Sequence, residues 1–267
     1  MGTAARRRAR PDVPEGHAPG VRVGTSGRAR LAPGGLGRHE RARCATLARV
    51  SSTLTPAQAW RELRDGNERF LRGEMEHPSQ GVDHRSSLSS LQEPFAVVFG
   101  CSDSRVAAEL VFDRGLGDLF VVRTAGHVVD TTVLGSIEYG VQVLRAPLVV
   151  VLGHDSCGAV GAAVEALRTG VMPTGFVRAV VDRVIPSVVS LTRPTADGAT
   201  GQSGSWFTPS AAELGQEHVG VTVRMLQSYS AYLREGVESG AVAVVGAEYA
   251  LAEGRVRVVE VAGSIED

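Results

Sequence analysis

Phe95-Ala96-Val97-Val98-Phe99-Gly100, followed at once by Cys101-Ser102-Asp103-Ser104-Arg105, is the stretch that decides the fold. The first six residues are apolar without a break. Alternation would mark a strand wet on one face, whereas a continuous run marks one covered on both, as in a parallel sheet. Three further runs read the same way: Leu119–Arg123 (LFVVR), Leu148–Gly153 (LVVVLG) and Ala241–Gly246 (AVAVVG). Helical patterns over 130–145, 157–169 and 211–235 separate them. Ala252-Glu253-Gly254 reads as a hairpin turn into Arg255–Val261, an antiparallel edge strand. The expectation is an α/β fold: a mostly parallel central sheet of four strands plus an antiparallel edge strand, flanked by helices. Ligands of such sheets gather beyond the carboxyl ends of the strands, and that is where Cys101 stands.

Upstream, order is expected from Thr55. Thr55-Pro56-Ala57-Gln58 is a capping box with proline at the first helical position. Trp60, Leu63, Asn67, Phe70 and Leu71 fall on one face of the helix that follows, to about Arg72. A polar loop through His77-Pro78 and His84 comes next. Residues 1–50 differ in kind. They hold eleven arginines against Asp12, Glu15 and Glu40, a net of +8, without helical or strand periodicity. Such a segment cannot bury enough apolar surface to offset its ordering entropy, so it reads as a disordered, dispensable extension ahead of one domain over 51–267. It lacks the apolar stretch of a secretory signal; a solvated tail is favoured over an Arg-rich transit peptide.

The 267 residues are 43% hydrophobic with a formal net charge of −1. That suits one domain with a sizeable core. The near-neutral total argues against a nucleic-acid partner, and no run of 18 apolar residues marks a membrane span. The cysteines are Cys44, Cys101 and Cys157. An odd, small number speaks against a disulfide framework and for a reducing, cytoplasmic setting, where cysteine more often means metal or catalysis. Cys44, in the extension, reads as inert.

His154 directly follows the third apolar run, and Cys157 lies three residues on, opening the next helix. Two strand ends can bring Cys101, His154 and Cys157 together as a Cys₂His set suited to zinc. Taken singly, each would more often be a buried small hydrophobe or a satisfied loop histidine; the grouping favours metal. With three strong ligands, the fourth position is left for water or a weak ligand, the mark of a catalytic site. Asp103 and Arg105 flank it. The carboxylate can accept a hydrogen bond from metal-bound water or coordinate the metal itself. The guanidinium can hold that carboxylate aside in a bidentate pair.

At this point the residues resemble a family. Cys101-Ser102-Asp103-Ser104-Arg105, followed after 53 positions by His154-x-x-Cys157-Gly158, is similar to the signature of β-class carbonic anhydrases of bacterial, actinobacterial-like type. The similarity runs from about Thr55 to Val261, through Arg123-Thr124-Ala125-Gly126 and Ser136-Ile137-Glu138-Tyr139. The resemblance implies one zinc per chain on Cys101, His154 and Cys157, with Asp103 an alternative fourth ligand and Asp103–Arg105 the catalytic dyad. It implies a substrate pocket for CO₂ and bicarbonate lined by Gln92, Phe120, Ala125, Tyr139 and the Gly158 N–H. It also implies a homodimer or homotetramer, with the N-terminal helix extending to a partner subunit and the pocket at the interface; Tyr139 and the Trp60 face are the expected contact surfaces. Two positions depart from the pattern. Val98 stands where some members carry a tryptophan of a non-catalytic bicarbonate site, and Asp155 where many carry Ser or Thr.

The implied reaction is lyase chemistry: zinc-bound hydroxide attacks CO₂ to give bicarbonate and a proton. His127 is a proton-shuttle candidate set against a structural role, and His77, His84 and His218 read as surface or packing residues. Two alternatives remain at this point: a carbon disulfide or carbonyl sulfide hydrolase on the same scaffold, and a non-catalytic zinc protein. Retention of Gln92, Asp103 and Arg105 disfavours the latter.

Overall fold

In the computed structural model, residues 54–191 and 209–266 are described. The extension over 1–50, with Cys44, lies outside the described residues. The apolar runs form strands β1 (Ala96–Cys101), β2 (Leu119–Thr124), β3 (Leu148–His154) and β4 (Ala243–Tyr249), all parallel to one another. Strand β5 (Val256–Ala262) runs antiparallel to β4 at the edge. The order across the sheet is β2-β1-β3-β4-β5. From β1 the chain steps outward to β2, then crosses back over β1 to β3. The crevice between β1 and β3 is therefore the topological switch point, where open α/β sheets bind ligands. Cys101 ends β1 and His154 ends β3.

Strands β1 and β3 are buried along their whole length, which is why their sequences never alternate. On one face, Ala96, Val98, Leu148 and Val150 pack with Trp60 and Leu63 of helix α1 (Pro56–Arg72). On the other, Val97, Phe99, Val149 and Val151 meet two helices. These are α4 (Thr131–Glu138), through Val133 and Ile137, and α8 (Ala211–Tyr229), through Val219, Val223 and Leu226. Helix α8 lies so close that a Cβ on Gly153 would fall 2.4 Å from Val219 Cγ2. Short helices α2 (Val82–Ser87) and α3 (Ala108–Val111) flank β1 in sequence. Helix α5 (Gly158–Thr169) follows β3, and α6 (Val177–Val184) and α7 (Ser187–Leu191) follow it. Helix α9 (Ala231–Glu238) leads to β4.

Several boundaries differ from the sequence reading. Strand β4 starts two residues late and runs three further. Gly240 adopts φ +73° and holds the chain in a turn, while pairing with β3 continues through His154 opposite Tyr249. The pattern over 130–145 is α-helix only to Glu138 and then a π turn, Tyr139–Val143. The pattern over 211–235 is two helices, because Ser230 ends α8 in an extended conformation and its hydroxyl caps α9 at the Leu233 N–H. The polar loop expected around His84 contains α2. The run over 177–191, which gave no expectation, forms α6 and α7. The face of α1 with Trp60 and Leu63 is not left for a partner: those side chains are 8% and 0% exposed, in this chain's own core.

Asn67 explains its place on that apolar face. Its amide donates to the Val111 and Gly254 carbonyls (3.0 and 2.9 Å) and accepts from Val256 N–H (3.0 Å), tying α1 to the β4–β5 hairpin. Replacing it by Ala leaves three buried backbone groups unpaired. We expect a loss of about 2–4 kcal/mol in urea unfolding; a change below about 0.5 kcal/mol would show that water satisfies them.

Candidate metal centre

Cys101, His154 and Cys157 do converge: their ligand atoms lie within 4.8 Å of one another, and all three residues are buried. Among the described residues this is the one such grouping of Cys, His and acidic side chains. Each donor is aimed by its surroundings. His154 Nδ1 donates to the Asp155 carbonyl (2.7 Å), which fixes the tautomer and leaves Nε2 as the lone-pair nitrogen. That Nε2 is buried and without any hydrogen-bond partner, as a ligand nitrogen in want of a cation would be. Two soft sulfurs and one imidazole form a donor set that fits a tetrahedral metal such as zinc.

Backbone N–H groups favour the thiolate form of Cys101. Gly126 N–H points at Cys101 Sγ (3.3 Å), joined by the N–H of Asp103. Cys157 is the N-cap residue of α5, at the end of that helix where negative charge is favoured. The two neighbouring sulfurs share one proton: Cys157 holds the Cys101 pKa down, and the Cys101 thiolate together with burial pushes that of Cys157 up. The pair thus retains one proton that a metal ion would expel. Burial opposes charge on His154, yet the Cys101 sulfur and the Asp155 carbonyl hold its pKa above the ordinary value. The pocket favours positive charge at its centre.

Beside this group, Arg105 clamps Asp103. Its Nε and Nη2 donate to Oδ1 (2.9 Å) and Oδ2 (2.7 Å), and its backbone N–H adds a third bond to Oδ1 (2.9 Å). These bonds hold the Asp103 carboxyl well below the usual carboxylate range. Asp103 Oδ2 stands 3.9 Å from His154 Nε2, close enough to reach a metal there. Arg123, at the end of β2, donates to the carbonyls of Cys101 (2.8 Å) and Asp103 (2.6 Å), so the loop after β1 is pinned from the neighbouring strand. Asp155 serves the turn: its carboxylate accepts from Leu251 N–H (3.2 Å) between β4 and β5.

The expected pocket residues divide into two sets. Ala125 follows Thr124, the register partner of Cys101, and Gly158 adjoins Cys157; both lie at the metal end of the sheet. Phe120 pairs opposite Val97, and its ring meets Tyr139 at 6.0 Å between centroids. That is four residues, about 13 Å of strand, away from Cys101. Gln92 is exposed and precedes β1, farther still toward the amino end. Within one chain the fold does not bring Gln92, Phe120 or Tyr139 to the metal group. His127 is 2% exposed, and burial holds its pKa well below the ordinary value. Packed between Phe99 and His218, it is a neutral core ring rather than a proton carrier. His218 too is buried, with partners that the sequence did not announce.

Residues 96–256 match the family model described as carbonic anhydrase. Carbonic anhydrase 2 of Mycobacterium tuberculosis (strain ATCC 25618 / H37Rv) is 54% identical over 200 residues, which cover 75% of this chain and 91% of that protein. A carbonic anhydrase of Mycolicibacterium smegmatis is 52% identical over 203 residues, 76% of this chain and 93% of its own. Among solved structures, a β-carbonic anhydrase of Sordaria macrospora, described as tetrameric, superposes with a TM-score of 0.56 at 20% identity, covering 73% of this chain and 93% of that one. The Coccomyxa enzyme in complex with acetazolamide gives 0.55 at 22%, over 74% and 86%. These two share the fold; the mycobacterial relatives are also identical at just over half of the aligned positions. By family match, by those relatives and by the strand order that sets Cys101 beside His154, this chain belongs to the β-class carbonic anhydrases.

Proposed function

We propose that this protein catalyses the reversible hydration of carbon dioxide to bicarbonate and a proton, with one zinc ion held by Cys101, His154 and Cys157. The observation that carries the reading is the clamped Asp103 beside a three-donor group. A structural zinc site closes with four protein ligands, whereas a catalytic one keeps a position open. A zinc ion held there would supply the acidification of water, toward a pKa of about 7 and less strongly with two thiolates than with neutral imidazoles.

The chain's own groups do the rest. Arg105 keeps the Asp103 carboxylate ionised and turned aside, where it can accept a hydrogen bond from the attacking water and orient it. Gly158 opens the twelve-residue helix α5, so its N–H has no intrahelical carbonyl and faces outward to stabilise a developing bicarbonate oxygen. Gln92, Phe120 and Tyr139 act on a neighbouring subunit's metal group or on the path to it. Their distance from their own Cys101 and the 45% exposure of Tyr139 support this, as does the half-buried edge strand β2. The protein is then a homodimer or a homotetramer.

Stopped-flow hydration beside a carbon disulfide hydrolysis assay tests the reading, with zinc content and light scattering on the same preparation. We expect CO₂ turnover, about one zinc per chain and an assembly of at least two chains. Turnover of carbon disulfide alone would overturn the substrate, and an active monomer would overturn the shared pocket.

A further inference from the structure

Behind the metal group lies a buried chain of hydrogen bonds that starts on α7 and ends on a thiolate. Ser187 Oγ is 2.8 Å from His218 Nδ1, His218 Nε2 is 3.0 Å from the Gly126 carbonyl, and Gly126 N–H is 3.3 Å from Cys101 Sγ. The direction of each bond follows from chemistry. A carbonyl only accepts, so Nε2 carries the proton. Burial keeps His218 neutral, so Nδ1 is the acceptor and the Ser187 hydroxyl donates. Ser187 and His218 are 1% and 2% exposed, so no bulk water competes for these bonds.

The link through Gly126 is stiff. It sits at φ +64°, ψ +24°, a left-handed conformation, and a Cβ there would lie 2.7 Å from that of Ala159. Its N–H and its carbonyl belong to the two peptide planes flanking one Cα. Holding the carbonyl sets the second plane, and with it the aim of the N–H in the first. Hydrogen bonds to a ligating thiolate withdraw charge from it and orient it, the lever by which outer groups tune a metal.

We propose that His218, supported by Ser187, is a positioning residue of the metal centre: through the Gly126 peptide it fixes the N–H that hydrogen-bonds Cys101 Sγ. It touches neither substrate nor metal. The inference rests on the reading of Cys101 as a metal ligand.

Cobalt(II) in place of zinc gives a readout independent of turnover, because a thiolate ligand produces a charge-transfer band that reports the sulfur's electron density. With His218→Leu we expect a shifted band and metal affinity lower by about tenfold or more. His218→Gln, whose amide can donate to the Gly126 carbonyl and accept from Ser187, should return most of both. Ser187→Ala, which leaves the ring in place, should move the band in the same direction by less, and serves alone if His218→Leu does not fold. A band and affinity unchanged in His218→Leu and Ser187→Ala would overturn the proposal. So would equal losses in His218→Leu and His218→Gln, which would make the ring a matter of packing. An unaltered protein that binds cobalt without any thiolate band would overturn the ligand assignment instead.

Discussion

Cys157→Ala should yield a folded protein that holds less than about a tenth of a zinc per chain and hydrates CO₂ at the background rate. The substitution removes one of three strong donors and one of the two negative charges that neutralise the ion. Loss of a group that merely supports a ligand costs 10–100-fold in affinity, so loss of the ligand itself must cost more than about 100-fold. Two remaining donors, Cys101 and His154, leave half of a tetrahedron to solvent. Stability should fall far less than metal binding. Cys157 is 7% exposed in a cluster with Val160, Val181 and Leu214, and Ala keeps its Cβ. The measurement is zinc by atomic emission after gel filtration, with circular dichroism as the control for folding. A folded Cys157→Ala protein with one zinc per chain would sink the ligand assignment.

The sheet and its metal group were legible because both are local. Six apolar residues before Cys101 and six before His154 declare buried parallel strands, and a residue that ends a strand is placed by it. Asp103 and Arg105 were legible for the same reason, two and four positions on. What sequence could not disclose depends on contacts made at a distance. Asn67 on an apolar face looks like noise until three backbone groups from Val111, Gly254 and Val256 are found around it. His218 reads as an ordinary helix position, since its partners Gly126 and Ser187 lie 92 and 31 residues away. The α6 signal, apolar residues at Val177, Val180, Val181 and Val184, was present but short. Gln92 and Tyr139 illustrate a further limit. A resemblance assigns them to the pocket, and the single chain holds them at the other end of β1, so the pocket role proposed for them requires a second copy.

Arg105→Ala should retain its zinc and lose roughly tenfold or more of its hydration activity at neutral pH. The expectation rests on what Asp103 does when released. In the native arrangement two side-chain bonds from the guanidinium hold the carboxylate, at 2.9 and 2.7 Å, and the backbone N–H of residue 105 adds one more. The variant keeps only the last. An ionised carboxylate 3.9 Å from His154 Nε2 is then free to occupy the metal's fourth position, excluding water. The size of the effect follows from exposure. Arg105 is 52% exposed at its side chain, so solvent screens its two charge-assisted bonds, and their loss should shift the balance toward the closed state rather than abolish the open one. Arg105→Lys separates charge from geometry: a lysine keeps the cation without the fork, and should fall between the two. A crystal structure of Arg105→Ala at neutral pH decides the matter. Asp103 bound to zinc is the expected result; a water on zinc with near-normal turnover would reduce Arg105 to a loop-ordering residue.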